Sequence, residues 1–177
     1  MFRKASTKDI GTVFSLIDRY AKKTLMLPRS RLDIQNNINE FFVFEEAGEV
    51  VGTAALKIGW DCLAEIRSLA VRSDKYRKKI GMQLVNGCIE EAKIAEMEKI
   101  FVLTYSSYFF KKLGFQITNK SALPLKVWED CMGCSKRYNC DEIALIKQLT
   151  TLKTKTLSPV GSLSGSPGNP SHFCPVR

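Results

Sequence analysis

The sequence lacks several features that mark large classes of proteins. Its 177 residues contain one histidine, His172, in a stretch rich in serine, glycine and proline. No apolar run reaches the roughly 20 residues that a helix needs to span a bilayer. The N-terminal Met1-Phe2-Arg3-Lys4 also lacks the apolar stretch of a signal peptide. These absences argue against histidine-based catalysis, membrane insertion and export, and they predict a cytoplasmic protein.

Acidic residues are scarce relative to basic ones. The chain has 27 lysines and arginines against 18 aspartates and glutamates, a net charge of +9. Three of the positive charges and no negative ones follow Leu149, so residues 1–149 carry +6. This excess suits anionic ligands, either small molecules or a nucleic acid. The basic residues are spread along the chain without interleaved aromatic residues, so no nucleic-acid partner is predicted.

The six cysteines stand in a chain without an export signal. A reducing compartment disfavours disulfides, so free thiols are predicted. Cys131, Cys134 and Cys140 have the spacing C-x2-C-x5-C, but structural zinc takes four ligands. His172 or Cys174 could complete such a site only from the C-terminal tail. Three thiolates without a clear fourth ligand are therefore a weak signal for a metal site.

Length and composition predict one globular domain over 1–149 and a mobile tail over 150–177. With 45% hydrophobic and 25% charged residues, the chain has the composition of an ordinary soluble protein. After Leu149 the residues are mainly Thr, Ser, Gly and Pro. Such a segment cannot bury enough apolar surface to offset the entropy lost on ordering.

Hydrophobic periodicity predicts alternating helices and strands. Helical spacing occurs in residues 8–22, after the capping-box sequence Ser6-Thr7-Lys8-Asp9, and again in residues 80–95. Ser30 is a candidate cap for a second short helix, and Gly114 ends another that starts near Ser106. Apolar and β-branched runs predict strands at 41–44, 50–56, 63–71, 100–103, 115–117 and 143–146.

The most specific pattern lies between residues 64 and 115. Residues 64–71 (Ala-Glu-Ile-Arg-Ser-Leu-Ala-Val) predict a strand, and a basic turn follows before Ile80-Gly81 opens an amphipathic helix. Such a turn brings backbone N–H groups and the positive end of a helix dipole together, as a pyrophosphate requires. Residues 109–115 (Phe-Phe-Lys-Lys-Leu-Gly-Phe) complete the pattern.

With these segments the chain resembles the GNAT family of N-acetyltransferases, over about residues 2–149. Residues 27–30 (Leu-Pro-Arg-Ser), 65–71, and 125–128 (Leu-Lys-Val-Trp) with the three clustered cysteines are most similar to the short, single-domain ArgA-type N-acetylglutamate synthases. The resemblance implies an α/β (α+β) fold. Its mixed, mostly antiparallel central sheet would be flanked by helices and splayed at the acetyl-CoA site.

By this resemblance, acetyl-CoA is the cosubstrate and no metal is required, so the three clustered cysteines are expected to be buried thiols. Backbone amides of Leu69 and Val71 would hold the pantetheine arm and polarise the thioester oxygen. The pyrophosphate would lie on the turn and on the first residues of the helix. The implied cofactor-binding residues are Leu69, Ala70, Val71, Tyr76, Arg77, Lys78, Lys79, Ile80, Gly81 and Met82.

The pyrophosphate turn departs from the family pattern, because it keeps only the last glycine, Gly81. In a gapless alignment Tyr76 takes the place of an Arg or Gln and Lys79 that of a middle Gly, while a one-residue shift uses Arg77. Glycine matters there because a side chain obstructs the approach of the backbone to phosphate. Either the site is weaker, or Arg77, Lys78 and Lys79 attract the phosphates by their charge instead.

Direct transfer of an acetyl group to an amine needs a general base. Alternation along a strand predicts that Glu65, Arg67, Leu69 and Val71 share one face. Family members use a strand glutamate in this place, so Glu65 is the first candidate for the base. The alternative is that Glu65 is only an ion-pair partner of Arg67 or of a neighbouring lysine.

The general acid has to differ from that of many family members. The tyrosine that protonates the departing CoA thiolate is replaced by Phe110, which cannot donate a proton. Tyr105 and Tyr108 are the catalytic candidates, with Ser107 or a water molecule as alternatives.

The similarity to ArgA-type synthases implies that the acceptor is L-glutamate and that the reaction belongs to arginine biosynthesis. The carboxylates of glutamate require guanidinium or ammonium partners, for which Arg29, Arg67 and Lys126 are the candidates. Two alternatives stay open: an acetyltransferase for another amine, and a catalytically weak module that binds CoA or an amino acid. A homodimer is compatible with this function.

Overall fold

The computed structural model describes residues 1–59, 61–76, 78–124, 130–134 and 136–149. The predicted site residues Arg77 and Lys126, the motif over 125–128 and the predicted tail over 150–177 lie outside the described residues.

The described residues form seven strands and four α-helices in the order β-α-α-β-β-β-α-β-α-β-β, with short 3-10 turns between some of them. The helices are α1 (Ile10–Ala21), α2 (Arg31–Asn36), α3 (Ile80–Ile94) and α4 (Ser107–Lys112). The strands are β1 (Phe2–Lys4), β2 (Phe41–Glu46), β3 (Glu49–Ile58), β4 (Leu63–Val71), β5 (Lys99–Thr104), β6 (Gln116–Ile117) and β7 (Ile143–Gln148). Within this part of the chain, every helix is too short or too polar to cross a membrane.

One sheet carries all seven strands in the order β1-β2-β3-β4-β5-β7-β6. Its neighbouring strands are antiparallel except for β4 and β5, which run parallel. Helices α3 and α4 pack on one face of the sheet, and α1 and α2 pack on the other. This arrangement confirms the predicted mixed, mostly antiparallel sheet flanked by helices.

Each face of the sheet has its own core, because successive strand residues point to opposite sides. On the α3 face, Leu84 and Val85 pack with Ile66, Ile100 and Leu145. The other core is built around α1 and α2, and its buried members are Val13, Ile17, Ile34, Phe41, Val43 and Ala55.

The cap predicted at Ser30 is confirmed, and the sequence Ser6–Asp9 forms a capping interaction before the first helix. The Ser30 hydroxyl accepts a hydrogen bond from the Asp33 N–H at 3.0 Å and begins α2. The Ser6 N–H donates to the Asp9 carboxylate at 2.8 Å. The first helix begins at Ile10 rather than at Lys8, because Thr7–Asp9 forms a 3-10 turn first.

The sheet opens between β4 and β5. The two strands pair only from Leu63–Lys99 to Glu65–Phe101, although β4 continues to Val71. Beyond Phe101, β5 pairs with β7 as far as Thr104. The strands therefore separate after Glu65, which confirms the splayed sheet.

Asp9 joins the N-terminal strand to the start of α1. Its carboxylate accepts two hydrogen bonds from the Arg3 guanidinium, at 2.8 and 3.0 Å, while being 5% exposed. The hydrogen bonds from Arg3 hold the pKa of Asp9 far below its usual range. The ionised carboxylate is therefore part of the folded structure.

Asp9→Asn should lower the free energy of unfolding by about 2 kcal/mol at neutral pH, because Arg3 loses a charged partner. The pKa of Asp9 is lower in the folded chain than in the unfolded chain. The stability it contributes is therefore present above about pH 4 and is lost as the pH falls further. Urea unfolding should show the gap between wild type and variant shrinking in acid. A gap independent of pH would contradict this origin.

Candidate active site

A cavity of about 580 Å³ occupies the opening between β4 and β5. The end of β4 forms one wall, and the end of β5 with the chain leading into α4 forms the other. The first residues of α3 lie at one end, and Tyr20 of α1 with Leu25 and Met26 lie over the cavity. The cleft thus lies where the resemblance places the acetyl-CoA site.

A β-bulge reshapes the β4 wall. Between the pairs Ala55–Arg67 and Thr53–Ala70, β4 has one residue more than β3. Ser68 takes up this extra residue with a left-handed backbone, φ +53°. A bulge shifts the alternation of side chains by one residue.

The bulge overturns the prediction that four alternate residues of β4 share a face. Leu69 and Val71 pack against the core that contains Ile66, on the α3 side of the sheet. Glu65 and Arg67 precede the bulge and alternate with Ile66, so they point to the opposite face of the sheet. The expectation was wrong because strict alternation assumes an unbroken ladder, and nothing in the residue types of β4 announces the bulge.

The backbone of Val71 is turned towards the cavity. Val71 lies opposite Gly52, and the N–H of the next residue, Arg72, donates to the Val51 carbonyl at 2.8 Å. In an antiparallel ladder this pattern makes Val71 and Gly52 a pair without mutual hydrogen bonds, so the N–H and carbonyl of Val71 point away from β3. The carbonyl accepts a hydrogen bond from the Tyr20 hydroxyl. The N–H is directed towards the space that β5 has left.

The N-terminus of α3 reaches the same cavity. Ile80, Gly81 and Met82 line it, and the first N–H groups of a helix have no partners within the helix. Lys79 precedes them in the left-handed conformation, φ +59°. Lys79 therefore has the left-handed backbone conformation that glycine, the residue expected at this position, adopts without strain. Together the free amides and the helix dipole create an anion site.

The lysines of this turn differ in their partners. Lys75 and Lys78 both pair with Glu46, at 2.6 and 3.2 Å. Lys75 and Lys79 both line the cavity, and Lys79 has no ion-pair partner among the described residues. Tyr76 also lines the cavity, and its hydroxyl contacts that of Tyr20. Of the lysines predicted to bind cofactor, Lys79 is thus the one directed at the cleft.

The candidate base Glu65 stands where the pairing of β4 with β5 ends, opposite Phe101. It does not belong to the described lining of the cavity. It lies close enough to Cys131 to raise the pKa of that thiol. Its role as the base stays a prediction.

The two tyrosine candidates for the general acid lie in different environments. Tyr105 lines the cavity, and its hydroxyl accepts a hydrogen bond from the Lys136 ammonium at 3.2 Å. Burial raises the pKa of Tyr105, so its hydroxyl stays protonated. Tyr108 is 71% exposed and lies outside the described cavity lining, beneath the Lys112 ammonium. The structure therefore brings only Tyr105 of this pair to the cleft.

A second cavity of about 290 Å³ adjoins the first, sharing Met26, Tyr105 and Glu142 with it. The connection from α1 to α2 forms one side, and the segment before β7 forms the other. Lys136 and Arg137 bring positive charge to this smaller cavity. Glu142, Lys136 and Arg137 were not among the residues predicted from the sequence. The one sequence signal that could have indicated them is their position next to the clustered cysteines.

The predicted acceptor-binding arginines flank these cavities. Arg67 lines the larger one and donates a hydrogen bond to Glu40 Oε2 at 2.5 Å. Arg29 follows Leu27 and Pro28 of the smaller cavity and forms an ion pair with Asp33 at 3.4 Å. Both side chains are mostly buried.

Four of the cysteines are free thiols, as predicted: Cys88, Cys131, Cys134 and Cys140. Cys88 is buried, but the three clustered thiols are half-buried rather than buried, because they line an open cavity. The prediction is wrong for Cys62, which is disulfide-bonded. The three clustered thiols line the smaller cavity, and burial raises the pKa of Cys131 to about 11. Across the described ranges, no group of three His, Cys, Asp or Glu side chains is arranged to hold a metal ion.

Comparison with known proteins connects this geometry to a family. Residues 37–117 match the model of the acetyltransferase (GNAT) domain. An uncharacterized N-acetyltransferase of Chlorobaculum tepidum is 40% identical over 149 residues, covering 83% of this chain and 95% of that protein. An amino-acid acetyltransferase of Mycobacterium tuberculosis is 30% identical over 131 residues, covering 72% of this chain and 75% of that protein.

A solved structure has the same fold. It is the N-acetylglutamate synthase of Neisseria gonorrhoeae in complex with coenzyme A and N-acetyl-glutamate, with a TM-score of 0.78 and 27% identity. The match covers 85% of this chain but 35% of the longer synthase chain.

The bulge generates a prediction at Ser68. Ser68→Gly should keep or raise stability, since glycine adopts the left-handed backbone without strain. Ser68→Val should lower the free energy of unfolding by about 2 kcal/mol, because a β-branched residue is strongly disfavoured there. Urea unfolding measures this difference, and calorimetry with CoA should show binding retained by the glycine variant and weakened by the valine variant. Wild-type behaviour of Ser68→Val would argue against the bulge.

Proposed function

Because the chain belongs to the GNAT family of N-acetyltransferases, and is thus an acyltransferase that uses acetyl-CoA, we propose that it transfers the acetyl group to the α-amine of L-glutamate. We further propose that this reaction takes place in the cytoplasm as a step of arginine biosynthesis. The amino-acid acetyltransferase and the N-acetylglutamate synthase among its relatives support this choice of acceptor.

The observation that carries the proposal is the meeting of two unequal cavities. The larger has an anion-binding end at the start of α3, suited to the pyrophosphate of CoA. The smaller, of about 290 Å³, carries Arg137 and Lys136, of which Lys136 also pairs with Asp141 at 3.3 Å. These two cations suit an acceptor with two carboxylates. An acceptor held there would present its amine at the junction with the larger cavity.

The reaction proceeds by direct attack. The pantetheine arm lies along the end of β4, and the inward N–H of Val71 donates to it. The neutral amine attacks the thioester carbonyl carbon, and backbone donors stabilise the negative charge on the oxygen, an effect worth roughly 3 kcal/mol in a well-formed oxyanion hole. The C–N bond forms, the C–S bond breaks, and the CoA thiolate takes a proton. Tyr105 is the donor we assign to this last step, since its hydroxyl stays protonated in the cleft.

Release of free thiol from acetyl-CoA tests the acceptor. L-Glutamate should give a kcat/KM about tenfold or more above that of L-glutamine, since the cationic cavity loses one carboxylate partner with glutamine. Polyamines and a peptide N-terminus extend the panel, and glutarate, which has no amine, serves as the control for binding without reaction. Release only with another amine would contradict glutamate as the acceptor. CoA binding with no release for any amine would identify a sensing module instead.

The lysine turn gives a second prediction. Lys79→Gln should weaken CoA binding by about fivefold, or about 1 kcal/mol, because among the cations that line the cavity Lys79 has no ion-pair partner in the described residues, whereas Lys75 and Arg67 pair with glutamates. Lys78→Gln removes the same charge from the neighbouring residue, which pairs with Glu46, and should change binding little. Calorimetry at two salt concentrations should show the Lys79 effect decreasing with salt. Equal losses for both variants would mean that net charge, rather than position, attracts CoA.

A further inference from the structure

Glu142 stands at the junction of the two cavities. It immediately precedes β7, whose first residue, Ile143, pairs with Thr104 at the end of β5. This register places Glu142 beside the Tyr105 end of the cleft. Glu142 lines both cavities and is the only carboxylate among their described lining residues. With Met26 and Tyr105, it is one of the three described residues that the two cavities share, so an amine at this junction would lie beside its carboxylate.

We propose that Glu142 is the general base of the transfer, taking the proton from the acceptor ammonium at this junction. The inference rests on the proposed function only in that the acceptor is an amine. Glu65 remains the rival base, standing at the apex of the cleft but outside the described lining of either cavity.

The surroundings of Glu142 suit a base. Glu142 is half-buried, and the Cys140 thiol lies 3.9 Å from its Oε2. Burial raises the pKa of Glu142, Asp141 raises it further, and the positive charges of Lys120 and Lys136 lower it. Of the other groups that face it, the pKa values of both Tyr105 and the Cys131 thiol are raised, so these two stay protonated and neutral. A carboxylate with a raised pKa is a stronger base for an ammonium proton than a solvated one.

The protons of the transfer balance with Glu142 in this role. One proton passes from the acceptor ammonium to the carboxylate, and the neutral amine then attacks the carbonyl carbon. As the C–S bond breaks, the nitrogen gives up a second proton and the CoA thiolate leaves as the thiol, directly or through Tyr105. Glu142 returns its proton to water, so one proton is released for each amide formed.

The pH dependence of kcat tests the proposal. For the wild type at saturating acceptor, the rate should fall in acid as Glu142 becomes protonated. Glu142→Gln should lose about 100-fold or more at neutral pH. Its remaining rate should rise about tenfold per pH unit up to the pKa of the amine, since only acceptor that is already deprotonated can react. Glu142→Asp should recover part of the rate. It should also recover the acidic limb of the pH profile, which is the decrease in kcat at low pH that protonation of the base causes.

Matched variants separate this base from its rivals. Asp141→Asn removes the same charge one residue away, at a residue outside the described lining of both cavities, and should retain the acidic limb, as should Glu65→Gln. CoA binding by Glu142→Gln, measured by calorimetry, should equal that of the wild type and shows that the variant is folded. A wild-type pH profile in Glu142→Gln would overturn the proposal, and loss of the limb in Glu65→Gln alone would assign the base to Glu65.

The same measurements test the identity of the acceptor and the identity of the base separately. If the wild type acetylates an amine other than glutamate, the profiles are recorded with that amine, and only the assignment of the acceptor fails. If the wild type acetylates glutamate but Glu142→Gln keeps its acidic limb, only the assignment of the base fails. If no amine is acetylated, both fail together.

Discussion

The site depends on the loss of pairing between two parallel strands. After Glu65, β4 and β5 no longer share hydrogen bonds, although each continues in the sheet with its other neighbour. Backbone groups on the facing edges then need other partners, because buried amides and carbonyls are rarely left unbonded. Tyr20 supplies one partner at the Val71 carbonyl. A thioester carrier lying along the strand would bind other backbone groups of this edge. The opening therefore creates a cavity and also leaves hydrogen-bonding groups for a ligand.

The phosphate end shows how charge and backbone geometry combine. The turn has lost most of its expected glycines, but Lys79 still holds the left-handed conformation that leads into α3. Holding a lysine in this conformation costs on the order of 1–2 kcal/mol, which the surrounding fold must outweigh. The N-terminus of α3 still lines the cavity, and the ammonium of Lys79 adds a positive charge at the position where the family has glycine. Lys75 and Lys78 both pair with Glu46, so Lys79 is the lysine without an ion-pair partner among the described residues of the turn.

Much of the fold followed from periodicity and local hydrogen bonding. These features depend on residues that are close together in the sequence, so they can be predicted from it. They include the cap at Ser30, the amphipathic pattern of α3 and the apolar runs of β2, β3 and β5. The face of β4 was predicted wrongly, because one bulge at Ser68 changes the side of every residue after it. Glu142 was overlooked for a related reason. Its importance comes from the meeting of β5 and β7, which are far apart in sequence.

The order of residues was enough to predict the class of molecule: the alternation of helices and strands, the pyrophosphate turn with its excess of lysines, and the family these segments resemble. Contacts between distant parts of the chain were needed to show which of these residues line the same cavity. The fold separated Tyr105 from Tyr108, directed Lys79 rather than Lys78 at the cleft, and set Glu142 between the two cavities. This is because a local sequence pattern reflects the preference of its residues for one backbone conformation. A site depends on strand register and helix packing, which only the whole chain determines.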